Sequence, residues 1–278
     1  MAKSRTRVQS INKKNVKKEP VQPNKKLKIV AVVLVIAVAS IFAGLYHFGY
    51  LTQGKSASTA NNQGGLPSSV KTGYFAEVST SSFAPINSVN IYFLSWKGCP
   101  IGAAESWFIY NVFNNYSSSV SSHIQFHTSD PYDVYPGTPG LLFSNFSISH
   151  SGVVYNFKVI YVYGQTLPNG TNLIASGLDT LKANTPSTIY NLFYEYQTEV
   201  PASSSGKPIS SQGGHLTSSM IVTGHDGTYY LEGAPYDFGP ANLSGYTSAS
   251  QVLNNITSIQ PIVDASTYFQ QILNVASA

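Results

Sequence analysis

Val89-Asn90-Ile91-Tyr92-Phe93-Leu94-Ser95 runs directly into Trp96-Lys97-Gly98-Cys99-Pro100-Ile101-Gly102-Ala103-Ala104-Glu105-Ser106-Trp107, and the reading of these nineteen residues decides the fold. The first seven are β-branched, aromatic and almost continuously apolar, which suits a strand buried on both faces. Pro100 then fits the first turn of a helix, where its missing N–H is no loss. From Ile101 to Phe113 the bulky residues Ile101, Trp107, Phe108, Ile109, Val112 and Phe113 return close to a helical period. Glu105 is expected in the first turn, where the helix dipole favours an acid. Strand, short turn and helix form the first unit of an α/β domain.

Working outward, His123 to Thr128 reads as a second strand, expected beside the first. Phe146 to Ser149 and Val153 to Tyr163 read as an inserted hairpin turning at His150-Ser151-Gly152. Thr185-Pro186-Ser187 opens a helix that runs through Gln197, with Ile189, Leu192, Phe193 and Tyr196 on one face. Ser218 to Thr223 and Thr228 to Glu232 flank Gly224-His225-Asp226-Gly227, a hairpin turn. Helices over 248–257 and 262–276 close the chain. The order is β, α, β, hairpin, α, ββ, α, α.

That order resembles a thioredoxin-like domain, in which a βαβ half and a ββα half share one mixed sheet. A Cys-Pro step at a helix start after a buried strand is where thioredoxins hold their redox pair. More specifically, the chain is similar to archaeal membrane-anchored proteins of the "domain of unknown function 929" family, whose motif runs Gly-x-x-Cys-Pro-x-Cys-Ala-Ala-Glu-x-Trp. Trp96, Gly98-Cys99-Pro100, Ala103-Ala104-Glu105 and Trp107 carry the likeness. So do Asp133-Val134-Tyr135-Pro136-Gly137-Thr138-Pro139 and the stretch from Ile221 through Gly233-Ala234-Pro235-Tyr236. The resemblance spans most of 85–276. It departs at Gly102, where the second cysteine should stand, and at Met220-Ile221, where the thioredoxin class usually has a cis-proline before a strand.

Ahead of the domain, Ile29 to Leu51 gives twenty-three residues with no formal charge if His47 is neutral. As a helix they measure about 34 Å, enough to cross a hydrocarbon core of about 30 Å. Ten of the sixteen basic residues lie in 1–28 beside one acid, Glu19, whereas the rest of the chain has six basic and eleven acidic residues. The positive-inside bias therefore leaves 1–28 cytoplasmic, makes 29–51 a single transmembrane helix and puts residues 52–278 outside the cell membrane. A cleaved signal peptide is the rival reading, but its apolar stretch would be shorter and nearer the start. The basic tail lacks the aromatic residues that a stacking nucleic-acid binder uses, so no nucleic-acid partner is expected. Residues 52–73 are rich in Gly, Ser, Thr, Asn and Gln and read as a flexible tether; 74–278 form the extracytoplasmic domain.

Only 10% of residues are charged while 19 are Tyr, so hydroxyls and amides must dress the surface. Cys99 is the single cysteine. Dithiol exchange needs a second sulfur to resolve the mixed disulfide, although a helix N-terminus and Lys97 would lower the pKa of a lone thiol. The alternative is a small buried residue left by a redox ancestor. His123 and His127 sit about 13 Å apart on a strand, too far to grip one ion. Asp130-Pro131-Tyr132-Asp133 reads as a turn, and Ser203 to Pro208 has neither the nucleophile elbow nor the phosphate-loop spacing. No metal or cofactor is expected. Asn115, Asn145, Asn169, Asn242 and Asn255 head Asn-x-Ser/Thr triplets, candidate glycosylation sites in an exported domain. The expectation is a one-cysteine, non-catalytic domain that binds a protein or envelope partner. The alternative is a monothiol exchange enzyme using Cys99.

Overall fold

The computed structural model describes residues 67–169, 172–235 and 238–278. The basic tail, the apolar run 29–51 and residues 52–66 of the tether lie outside them. Among the described residues no helix is long and apolar enough to cross a membrane. The described end of the tether is packed on the domain: Val70 is buried and exchanges backbone hydrogen bonds with Pro201 and Ser203.

The domain is a mixed α/β fold around a six-stranded sheet. In chain order the elements are β1 (Ala76–Ser79), β2 (Ser88–Ser95), α1 (Pro100–Tyr116), β3 (Ile124–Thr128), β4 (Pro139–Phe143), β5 (Phe146–His150) and β6 (Val153–Tyr161). There follow α2 (Leu173–Asn184), α3 (Ser187–Thr198), α4 (Ile209–Gly213), β7 (Ser219–Gly224), β8 (Gly227–Glu232), α5 (Ala249–Asn254) and α6 (Gln260–Ser277). The sheet order is β1-β8-β7-β2-β6-β5; β2 lies parallel to β6 and antiparallel to β7.

β2 is central because its side chains must be covered on both faces. Val89, Ile91 and Phe93 enter one core with α1 and α6, and Tyr92 and Leu94 enter the other with α2 and α3. β7 alternates likewise: Met220 and Val222 face the first core and Ile221 the second. Met220-Ile221 thus lie inside the strand rather than ahead of it.

Two sequence expectations are corrected here. The strand from His123 is not beside β2; β3 pairs only with β4, in a separate two-stranded sheet. Its side chains are all partly or fully exposed, so it could not satisfy a neighbour that needs burial on both faces. The hairpin read as inserted, β5–β6, is part of the main sheet, and β6 is the parallel partner of β2. Its turn is where it was expected, with Ser151 and Gly152 at positive φ. Helix α2 is absent from the sequence reading, and it carries Gly177 in its middle. Glycine is required there: a Cβ would lie 2.3 Å from the Tyr163 hydroxyl. The hairpin β7–β8 and the helices α3 and α6 form where the sequence places them, to within a few residues.

Candidate functional site

Cys99 is the N-cap of α1, and its Sγ accepts a hydrogen bond from Gly102 N at 3.3 Å. It is 4% exposed, so the helix terminus is spent on an interior thiol. Burial pushes that thiol up to about 12, and the nearby Glu105 carboxyl adds to the effect. The expectation of a lowered pKa therefore fails. Lys97 points its exposed side chain to solvent, and desolvation outweighs a helix-end dipole.

Glu105 is the sixth residue of α1, not part of its first turn, and it is fully buried. Its Oε2 accepts from the Ser218 hydroxyl, and its Oε1 has no hydrogen-bond partner among the described residues. Burial raises its carboxyl to about 8, so at neutral pH it is mostly protonated. The polar interior continues beyond it. Gln197 Nε2 donates to Ser219 Oγ at 3.0 Å and to Tyr230 Oη at 3.1 Å, while its Oε1 accepts from Thr217 N at 3.0 Å. Glu232, also buried, accepts from Thr72 Oγ1 at 2.9 Å, and desolvation pushes it up to about 7. Two buried carboxyls, Tyr230 and Gln197 thus sit at the end of the sheet where β2 stops.

Gly102, the position of the missing cysteine, is walled in. A Cβ there would meet Ser95 Oγ at 2.0 Å and Ser95 Cβ at 3.1 Å. Gly102→Cys should therefore cost about 1–3 kcal/mol through overpacking. It should also leave two thiols after mild oxidation, counted in denaturant, unless Ser95→Ala makes room. Rapid closure of the disulfide in the single variant would contradict this. Cys-Pro-x-Cys spacing alone suggests easy closure, but spacing carries no information about Ser95.

The turn between β2 and α1 is strapped down from three sides. Lys97 N donates to Tyr163 O and Gly98 N to Gly164 O, each at 3.2 Å, and Asp130 N donates to Gly98 O at 2.8 Å. His127 Nε2 bonds Lys97 O at 2.7 Å. Gly98 must be glycine, since a Cβ would fall 1.8 Å from Gln165 O. Trp96 is 3% exposed and meets His215 edge to face. Further along α1, Trp107 Nε1 donates to Pro139 O at 2.8 Å, and Leu141 N donates to Ser106 Oγ at 2.8 Å. Gly140 lies flat on Ala103. The motif around Pro139 is therefore the clamp that seats β4 on the Cys-Pro helix. Gly233 completes the convergence, with its N–H on Ser218 O at 3.1 Å and φ +69.

The structure thus gathers Trp96, Gly98, Cys99, Pro100, Gly102, Glu105 and Trp107 around one helix start. It adds Ser95, Gln197, Ser218, Tyr230 and Glu232, which sequence reading missed. The available signal was polar residues set in apolar strands, Ser218-Ser219 before Met220 and Glu232 after Leu231. His123, just ahead of β3, bonds Ser144, so it and His127 serve hydrogen bonds in different places. The five sequon asparagines are all exposed, and Asn145 and Asn242 accept backbone N–H groups through Oδ1.

A family model described as Domain of unknown function (DUF929) matches residues 74–275. Neither the curated proteins nor the solved structures compared with the chain contain a match.

Proposed function

From a chain that belongs to the family of the domain of unknown function DUF929, we propose a single-pass membrane protein whose outward-facing, thioredoxin-like domain has given up dithiol chemistry and serves a binding role in the cell envelope. The strand order β8-β7-β2-β6, with α1 springing from β2, supports the thioredoxin-like part. The apolar run 29–51 behind a basic tail supports the anchor and its direction. The observation that carries the non-catalytic reading is the state of Cys99, buried, protonated and capping its own helix.

An exchange enzyme presents a thiolate to its substrate. Here the thiol is buried in the core cluster that also holds Trp96, at the strapped turn, and Ser95 occupies the space a second sulfur would need. The full chain in detergent should therefore react with Ellman's reagent at least about a hundredfold more slowly than the denatured chain, following the thiolate fraction and access. Insulin disulfide reduction should stay at background. Cys99→Ser should be near neutral in stability, because serine is itself a good N-cap. Turnover above background that Cys99→Ser abolishes would establish the monothiol enzyme instead.

A further inference from the structure

The loop 129–138 displays the largest exposed aromatic and aliphatic side chains near the candidate site: Tyr132 is 89%, Val134 86% and Tyr135 45% exposed. It is rigidly self-bonded. Ser129 N donates to Thr138 O, Thr138 N to Ser129 Oγ, and Ser129 Oγ to Tyr135 O, all within 2.9 Å. Tyr132 N and Tyr135 N are met by the carboxylates of Asp130 and Asp133. A loop that satisfies its own backbone donors can leave water at much lower cost than an ordinary one. A depression of about 190 Å³ beside it is lined by Val134, Tyr135, Pro136, Pro240, Leu243 and Tyr246.

This loop shares one end of the sheet with the start of the described chain. Asp130 N ties it to Gly98, just past the end of β2; Leu94 of β2 pairs with Ser219, Ser219 with Glu232, and Gly73 N donates to Glu232 O. Lys71, Lys97 and Lys207, three of the five lysines among the described residues, are exposed on the segments that meet at this end, Lys71 Nζ lying 3.6 Å over the Tyr74 ring, and Asp133 and Glu199 belong to the same segments. Residues 52–66 separate this end from the apolar run 29–51. Fifteen residues of such composition reach roughly 20 Å.

We propose that this end of the domain seats on a lipid surface, with Tyr132 and Val134 at headgroup depth and Lys71, Lys97 and Lys207 facing anionic headgroups. The proposal rests on the membrane anchoring proposed above. Tyrosine is at home at the membrane–water interface, and lysines near the surface are drawn to anionic lipid. A short tether holds the effective concentration on the order of mM, so a weak contact suffices.

The test uses the full chain reconstituted into phosphatidylcholine vesicles containing phosphatidylserine, with Val134→Trp, Tyr132→Trp and, as control, Ile86→Trp. Ile86 is 88% exposed just before the opposite end of β2. After subtraction of the wild-type signal from Trp96 and Trp107, the tryptophans at 132 and 134 should emit at shorter wavelength. Lipids brominated near the headgroup should quench them at least twofold more than the one at 86. Sedimentation after a carbonate wash reports the anchor separately. Retained chain with unquenched probes at 132 and 134 would overturn the loop contact and leave the anchor standing; chain that washes off would overturn both. A blue shift seen only in native membranes, without bromolipid quenching, would assign the loop to a protein partner and overturn the lipid contact.

Discussion

The thermal midpoint of the domain should fall by about 10 °C as pH rises from 4.5 to 8, and Glu105→Gln should remove most of that fall. Glu105 ordinarily titrates near 4.5 and is pushed up to about 8 by burial. Between those values the folded chain holds a proton that the unfolded chain has released, so stability declines as pH rises. Below 4.5 both states are protonated and the contribution is level; above 8 the loss is complete. Each pKa unit corresponds to about 1.4 kcal/mol, which makes the whole interval worth on the order of 5 kcal/mol. Glu232 acts in the same direction between 4.5 and about 7. His127 acts in the opposite direction, since burial lowers its pKa and protonation below about 6.5 works against the fold. Glutamine at 105 keeps an acceptor for Ser218 and has no proton to lose. Calorimetric melts of wild type and Glu105→Gln at pH 4.5, 6 and 8 decide the matter. A wild-type midpoint that does not move, or a variant that keeps the full slope, would show that Glu105 ionises without penalty.

Gly140→Ala should destabilise the domain by about 3 kcal/mol, and Trp107→Ala by about 3–5 kcal/mol. A Cβ at 140 would lie 2.6 Å from Ala103 Cα and 2.8 Å from Ala103 O, both backbone atoms of α1 that cannot swing aside. Trp107 is fully buried and donates to Pro139 O, so truncation removes packing and orphans a carbonyl together. Gly239→Ala is the control, because none of the described residues lies within 4 Å of its Cβ position. Urea unfolding of the three variants gives the comparison. If Gly140→Ala stayed within about 0.5 kcal/mol of wild type, as surface substitutions usually do, β4 would not be clamped on α1.

The consequence of that clamp is functional. β4 and the loop before it carry Tyr132 to Tyr135, and Asp130 N and His127 Nε2 tie this segment to the turn at Lys97-Gly98. Loosening β4 would therefore loosen the cover over Cys99 as well as the exposed loop. The domain presents exposed Tyr132 and Val134 near the start of α1 while shielding the sulfur there.

Much of the architecture was legible in the chain. A continuous apolar run such as Val89 to Leu94 has to sit between two layers, and a run from Ile189 to Tyr196 with helical spacing has to lie against one. Turn residues such as Gly224 and Gly227 delimit a hairpin by themselves. These are local constraints of period and backbone conformation, which consecutive residues express fully. The apolar run 29–51 and the count of one sulfur are likewise properties of the sequence alone. Which strands flank β2 was not legible, because pairing is a competition among distant segments: β7, buried along its whole length, and β6, whose Tyr155 and Phe157 enter one core and Ile160 the other, hold the places beside β2, and the more exposed β3 does not. The state of Cys99 was equally hidden. Its position at a helix start argued for a low pKa, and only the tertiary structure, by closing Trp96, Ser95 and the strapped turn around it, made desolvation the larger effect. Glu105, expected as an acid favoured by the dipole of the first turn, is instead buried and protonated for the same reason: a pKa depends on the dielectric that folding builds around a group, which its sequence neighbours do not specify.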